Sequence, residues 1–196
     1  MADSVAPETI VPALRGRFGR PYRYADVCAS TQRLLEDDDE EGAVAVTDEQ
    51  SEGRGRLGRT WHAPAGTSIL LSVLLRPDVP PARLPELSVV AGRAVAAAIR
   101  SETPVVTAVK LPNDVLVGGR KVAGVLAEAT DGRVVLGIGV NVNQTADELP
   151  AEAQTPATSL RVETGGILER GPILVALLEQ LERAYDGWLT ESATSG

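Results

Sequence analysis

One cysteine and one histidine stand among 196 residues, at Cys28 and His62. A single thiol cannot close an internal disulfide, and one cysteine with one histidine gives no zinc-type cluster, so no metal centre held by the protein itself is expected. Cys28 reads as a small buried hydrophobe and His62 as a structural residue. Aromatics make up 3% of the chain, which leaves an aliphatic core of Val, Leu, Ile and Ala with Trp61 and Trp188 as rare large anchors. Positive charge is in deficit: 19 Lys and Arg face 27 Asp and Glu, a formal net charge of -8. That balance argues against general nucleic-acid binding, whose footprint is a basic face. Long apolar runs are missing too. None reaches the ~20 residues that a bilayer-spanning helix needs, and Pro7, Glu8 and Pro12 interrupt the start where a secretory signal would be continuous. The expected location is the cytoplasm, with no membrane partner.

What is present, 43% hydrophobic residues, suffices for one compact domain. Residues 1–21 are rich in small residues, Pro and Arg without a sustained period, and read as an extended or loosely packed arm; 22–196 form the domain proper. Tyr22 to Val27 reads as a strand. Ser30-Thr31 offers an N-cap for a helix through Gln32, Leu34 and Leu35 that ends by Gly42, with the acidic run Glu36 to Glu41 as a solvated tail. Ala43 to Val46 and Ser68 to Leu75 read as buried strands. Leu87, Val90, Ala91, Ala94, Val95, Ala98 and Ile99 recur at helical spacing within 86–100. Val105 to Lys110 reads as a strand. Val115 to Val117, Lys121 to Glu128 and Val134 to Asn143 are three more, joined by Gly118-Gly119 and Asp131-Gly132, which predicts an antiparallel meander. A long loop fills 144–158. Ile173 to Leu189 is an amphipathic helix with Leu174, Leu177, Leu178, Leu181 and Tyr185 on one stripe.

Between Gln50 and Trp61 the local chemistry opposes the global charge. Gly53 to Arg59 places three glycines and three arginines in seven residues. Glycine lets a backbone approach a ligand closely, and arginine offers a planar, permanently charged fork that matches carboxylate and phosphate oxygens. Gly53-x-Gly55-x-x-Gly58 fits a dinucleotide fingerprint only weakly, because no helix-forming run follows it. No Gly-Lys-Ser/Thr makes it a P-loop, and an RGG tract would repeat and be disordered. What is left is a loop gripping phosphate or carboxylate in some other nucleotide-using fold. Further candidates lie at expected strand ends: Ser30-Thr31-Gln32, Lys110 to Asp114, Arg120 to Gly124, and Asn141 with Asn143. Pro112 pushes Leu111 out of the helical region and fixes a turn, so Lys110, Asn113 and Asp114 point in set directions; the plainer reading is an Asn-Asp turn beside a surface lysine. Lys121 is solvated on the plain reading, yet the apolar strand behind it, with Gly124 leaving bare backbone, suits a pocket.

Taken in order, five stretches resemble the catalytic domain of the biotin protein ligases, also called biotin–acetyl-CoA-carboxylase ligases, from about Tyr24 to Trp188. They are Ser30-Thr31-Gln32; Gln50 followed by Gly53-Arg54-Gly55-Arg56-Leu57-Gly58-Arg59-x-Trp61; Lys110-x-Pro112-Asn113-Asp114; Arg120-Lys121-Val122-Ala123-Gly124-Val125-Leu126-x-Glu128; and Gly137-Ile138-Gly139-Val140-Asn141-Val142-Asn143. The resemblance implies an α+β fold, a mixed, largely antiparallel sheet flanked by helices, of the class II aminoacyl-tRNA synthetase type. It implies that biotin and Mg-ATP form biotinoyl-5′-AMP, and that a lysine of a biotin carboxyl carrier domain, of acetyl-CoA or acyl-CoA carboxylase or of pyruvate carboxylase, then takes the biotinoyl group. By the same resemblance Lys121, Arg56 and Asp114 are the catalytic residues. Ser30, Thr31, Gln32, Gln50, Gly53, Arg54, Gly55, Arg56, Lys121, Gly124, Gly137 and Gly139 would meet biotin. Arg54, Arg59, Trp61, Lys110, Asn113 and Asn141 would meet ATP or the adenylate, with the magnesium carried by the nucleotide. Fixed cations suit a reaction in which negative charge gathers on phosphorus oxygens and then on pyrophosphate.

Four departures from the family pattern qualify this. Gln32 stands where Asn is usual and Leu111 where Trp is usual. No helix-turn-helix segment precedes Tyr24, so repressor activity is not expected, and the small β-barrel domain usual after the last helix is not expected either. Two other functions are weighed against the leading one: lipoate or octanoate transfer on the same fold, and non-catalytic binding of biotin or biotinoyl-AMP. A homodimer through a sheet edge is the expected self-association.

Overall fold

A computed structural model describes residues 4–151 and 154–194. Residues 1–3 of the expected arm, 152–153 of the expected long loop and the terminal 195–196 lie outside it. Seven strands make one sheet: β1 (Tyr22–Cys28), β2 (Val44–Gln50), β3 (Ser68–Leu75), β4 (Ala108–Lys110), β5 (Asp114–Val117), β6 (Arg120–Thr130) and β7 (Arg133–Asn141). Their order is β1-β2-β3-β7-β6-β5-β4. Only β1 and β2 run parallel; every other neighbouring pair is antiparallel. The helices are α1 (Pro7–Ile10), α2 (Leu87–Glu102), α3 (Leu160–Thr164) and α4 (Arg170–Thr194). The expected α+β class with a mixed, mostly antiparallel sheet is what the chain forms.

The meander follows from its turns. Gly118 and Gly119 (φ 55° and 81°) join β5 to β6, and Asp131 and Gly132 (φ 50° and 75°) join β6 to β7. Two consecutive positive φ values are what a tight two-residue hairpin requires, and Gly-Gly and Asp-Gly supply them at low steric cost.

Strand alternation then divides the sheet into two faces. Ile69, Leu71, Val73 and Leu75 of β3, with Leu136, Ile138 and Val140 of β7 and Val125 of β6, turn to a core shared with Leu87, Ala91, Val95 and Ile99 of α2 and Leu174, Leu177, Leu178, Leu181 and Tyr185 of α4. The intervening residues, Leu70 and Ser72 of β3, Gly137 and Gly139 of β7, and Gly124 and Leu126 of β6, line a cavity on the opposite face. Full burial of one such Leu or Ile side chain contributes about 1.5–3 kcal/mol, so the helix face carries the stability and leaves the other face available for chemistry.

Several local expectations are corrected. The segment after Ser30 is a single 3-10 turn, Thr31–Leu34, and the Ser30 side chain makes no capping bond. Thr31 Oγ1 shares a hydrogen bond with Ser72 Oγ at 2.7 Å, across to β3. The arm is not loosely packed over its described part: Val5, Ile10, Leu14 and Phe18 are buried in the main core, and the Phe18 ring lies 6.0 Å from that of Tyr185. The acidic run is not wholly solvated, because Asp39 is buried and accepts from Arg23 at 2.7 and 3.0 Å. That guanidinium holds the Asp39 carboxyl below its usual range. The strand expected from Val105 begins only at Ala108, and the last strand ends at Asn141. Within the long loop, Ala146–Glu148 forms a 3-10 turn closed by a Thr145/Glu148 capping box. No helix among the described residues is long and apolar enough to cross a membrane.

Candidate active site

The site is built on the glycine-bearing face. Gly124 of β6 pairs with Gly139 of β7, which pairs in turn with Leu70 of β3. Three neighbouring strands thus present backbone along one line. A Cβ on Gly139 would stand 2.5 Å from Cε2 of Trp61, and one on Gly124 would stand 3.1 Å from Cζ3 of the same ring. The indole lies directly on this bare floor. Lys121 Nζ sits 5.5 Å from a Trp61 ring centroid, in cation–π range. Trp61 Nε1 is buried with no hydrogen-bond partner among the described residues.

Trp61 belongs to the Gly/Arg loop, which is a hairpin and not an open coil. Trp61 N donates to Gly53 O at 2.9 Å, Gly55 N donates to Arg59 O at 2.7 Å, and Arg54 bridges Thr60. A 3-10 turn, Arg56–Gly58, makes the tip. Gly53 is required at the base, since a Cβ there would lie 2.3 Å from Trp61 O. The three arginines fan out to neutral amide oxygens on three separate segments, and Arg54 Nη1 also stands 3.9 Å from Glu128 Oε1. Arg54 Nη2 donates to Gln32 Oε1 at 3.0 Å, Arg56 Nη1 to Asn113 Oδ1 at 3.2 Å, and Arg59 Nη2 to Gln154 Oε1 at 2.9 Å. An amide oxygen is a weaker partner for guanidinium than carboxylate or phosphate, so an entering anion can displace it with gain.

Opposite the loop, Lys121 Nζ pairs with Asp114 Oδ1 at 2.7 Å, with both side chains largely buried. Asn113 is set by a reciprocal bond: its Nδ2 donates to Val125 O and its O accepts from Val125 N, both at 2.9 Å. At the far wall Gln50 Oε1 accepts from Thr31 N at 2.8 Å and from Thr31 Oγ1 at 3.2 Å. Lys110 Nζ donates to Thr155 Oγ1 at 2.9 Å, on the same stretch that receives Arg59.

Of the residues singled out in the sequence, Ser30, Thr31, Gln32, Gln50, Arg54, Gly55, Arg56, Trp61, Asn113, Lys121, Gly124, Gly137 and Gly139 line one cavity. Gly53 and Asp114 stand immediately behind that lining. Arg59 and Lys110 lie outside it, meeting at residues 154–155. Asn141 is buried beneath, donating to Thr158 O and accepting from Gln144 Nε2. Ser72 and Leu126 were missed, although a lone serine inside an otherwise apolar strand is a readable signal for a polar floor. Gln154 and Thr155, which receive Arg59 and Lys110, were missed as well, and no local pattern marks them. His62 is exposed, just past the Gly/Arg loop. Burial pushes the half-buried Cys28 thiol up, which keeps it protonated and unreactive. Groups of three or more His, Cys, Asp or Glu able to hold a metal do not occur among the described residues.

Residues 24–144 match the model of the biotin/lipoate A/B protein ligase family. The chain belongs to this family. The biotin–acetyl-CoA-carboxylase ligase of Mycobacterium tuberculosis is 39% identical over 95% of this chain and 74% of its own length. The bifunctional ligase/repressor BirA of Bacillus spizizenii is 37% identical over 90% of this chain. The chain spans only 57% of the length of that relative. Among solved structures, the biotin protein ligase of Aquifex aeolicus in complex with biotin and ATP superposes with a TM-score of 0.77 at 33% identity, over 87% of this chain and 73% of the other. In this family member the mixed sheet flanked by helices is therefore a class II synthetase-like architecture shared with biotin protein ligases.

Proposed function

We propose that this chain activates biotin with ATP and passes it to a lysine of a biotin carboxyl carrier domain. The observation that carries the reading is the convergence of Arg54, Arg56 and Lys121 on one cavity whose floor is the bare backbone of Gly124, Gly137 and Gly139. A slot with a bare glycine floor, and with polar side chains and cations in its walls, fits a fused-ring acid bearing a carboxylate tail. The relatives named as ligases for biotin, and the neighbour bound to biotin and ATP, support that acid over lipoate or octanoate.

In the first step a biotin carboxylate oxygen bonds to the α-phosphorus, the bond from that phosphorus to the α,β-bridging oxygen breaks, and pyrophosphate leaves with the magnesium that came with ATP. Lys121 lies between the two reacting anions and screens their approach; Arg56 follows the charge onto the phosphorus oxygens. Such preorganised cations are the main catalytic resource in phosphoryl and adenylyl chemistry. Arg59 and Lys110, which meet at residues 154–155, take the leaving polyphosphate. In the second step the carrier's neutral amine attacks the acyl carbonyl, the bond to AMP breaks, and the amine loses a proton. Asp114 orients that amine. Ser30, Thr31, Gln32 and Gln50 hold the ureido end, while Trp61 and Asn113 border the adenylate and Asn141 supports it from below. The carrier belongs to an acetyl-CoA, acyl-CoA or pyruvate carboxylase, and homodimerisation through an open sheet edge, β1 or β4, remains the expected self-association.

The cavity encloses about 60 Å3, far below the ~300 Å3 lower end for pockets that hold drug-sized ligands. The indole of Trp61 is what fills the slot, so binding of the acid requires it to swing off Gly139. The deciding experiment is ATP–pyrophosphate exchange driven by biotin, repeated with lipoate and with octanoate. Exchange with biotin alone is the expected result; exchange with another acid would reassign the substrate, and folded protein that binds biotin without exchange would be a binder only.

A further inference from the structure

Three cations of the proposed site rest on one short loop. Arg59 donates to Gln154 at 2.9 Å and Lys110 to Thr155 at 2.9 Å. Lys121 is tied to the same loop through its main chain: its N donates to Pro156 O at 2.7 Å, and its O accepts from Thr158 N at 2.8 Å. Lys121 and Ala157 form a parallel bridge outside the main sheet. On its other side Lys121 meets β5 just where the register slips, between Val115 and Leu116. Such a bulge interrupts the ladder locally. The loop takes both main-chain hydrogen-bonding groups of Lys121, and so shares with β5 in setting where its backbone stands.

A carboxylate outside the cavity helps to hold the loop. Glu163 Oε1 accepts from Thr158 Oγ1 at 2.5 Å and pairs with Arg120 Nη2 at 2.8 Å. Arg120 is the residue before Lys121, so the links close a ring: Glu163 to Thr158, Thr158 to Lys121, Lys121 through the peptide to Arg120, and Arg120 back to Glu163. Thr158 is fully buried, and the Glu163 side chain is only 13% exposed. Glu163 is itself fixed by α3, where Ser159 Oγ accepts from Val162 N and Glu163 N donates to Ser159 O. Asn141 Nδ2, donating to Thr158 O at 3.0 Å, anchors the same point from β7.

We infer that Glu163 is a positioning residue for the adenylation step: its carboxylate clamps Thr158 and Arg120 together and so places Lys121 between the acid and the α-phosphate. It touches neither reactant. Its effect is on geometry, and a displacement of about 1 Å at a reacting centre can cost on the order of 100-fold in rate. This rests on the function proposed above.

The test compares wild type, Glu163→Ala, Glu163→Gln and Thr158→Val in biotin-driven ATP–pyrophosphate exchange, with amide hydrogen exchange over residues 119–125 and 155–160 measured in parallel. Glu163→Ala is expected to lower kcat by about 10- to 100-fold with the KM for biotin little changed. Glu163→Gln, which still accepts both hydrogen bonds, should restore most of that loss. The double variant with Thr158→Val should be no worse than Glu163→Ala alone, because both remove the same link. Faster amide exchange at Lys121 and Thr158 should accompany the loss. A kcat for Glu163→Ala equal to that of an active wild type overturns the inference, as does unchanged amide exchange at those two residues. If Glu163→Ala fails to fold, Thr158→Val decides on the same criteria. Wild type without exchange would instead sink the proposed function, and amide exchange alone would then judge the clamp.

Discussion

Replacing Gly139 by Ala should damage acid binding while leaving the fold intact. The added Cβ would lie 2.5 Å from Cε2 and 2.6 Å from Cζ2 of Trp61, whereas carbon atoms in contact prefer ~3.5–4.0 Å. The indole must withdraw, and an acid entering the slot meets the same methyl on the same floor. Overfilling a close-packed site costs about 1–3 kcal/mol, which at 1.4 kcal/mol per decade is roughly a 5- to 150-fold loss of affinity. The core should be spared, because the methyl points to the slot while the flanking Ile138 and Val140 keep packing on the helix face, so the loss of stability is limited to lifting the indole off the floor. Gly139 also has no positive φ that a side chain would strain. Calorimetric titration with biotin, beside a melting curve without it, reads both quantities. Gly137→Ala is the internal control: its Cβ would meet Gln32 Nε2 at 3.5 Å, an ordinary contact, so its loss should be smaller. Equal affinities for wild type and Gly139→Ala would refute the claim that ligand lies against this floor.

Lys121→Ala should stay folded and lose adenylate formation by about 100- to 1,000-fold, the scale for removing one preorganised donor from a transition state; pyrophosphate exchange checks the rate and far-UV dichroism the fold. Leu181→Ala removes a fully buried side chain of α4 and should cost about 2–5 kcal/mol in urea unfolding. Acid stability should depend on Glu86, which accepts from Arg83 and from Trp188 Nε1, each at 2.7 Å. Arg83 first, then Trp188, hold its carboxyl down from 4.5 to about 2. A depressed carboxyl stabilises the fold fully above its unfolded value, and the contribution fades as pH falls from 4.5 toward 2. Glu86→Gln should therefore flatten the fall in melting temperature across that window, and an unchanged slope would count against the linkage.

Much of the architecture is legible because its causes are local. Gly118-Gly119 and Asp131-Gly132 announce their hairpins through the φ values that only such residues adopt easily, and the helical spacing from Leu87 to Ile99 needs no partner to be read. Misreadings came where a distant group outbid a local preference. Ser30-Thr31 looks like a helix cap, yet Thr31 is drawn to Ser72 and Gln50, and the helix shrinks to one turn. The arm lacks period, yet Ile10 and Phe18 find the core that α4 offers. Asp39 sits in an acidic run but is captured by Arg23 of β1.

The sequence by itself determined which chemistry is available: a cationic glycine loop in an acidic chain, a lysine ahead of a bare strand, and no cysteine or histidine pair to hold a metal. Only the tertiary structure decided how these meet. Alternation puts Gly124, Gly137 and Gly139 on one face, but sheet order is what lays Gly124 beside Gly139 under Trp61 and leaves Gly137 facing Gln32. Arg59 and Lys110 are brought to the same loop, and Glu163 to Lys121, by contacts spanning tens of residues. Turn type and amphipathic period are written in neighbouring residues, whereas a cavity is made by the closure of remote segments, which no local pattern records.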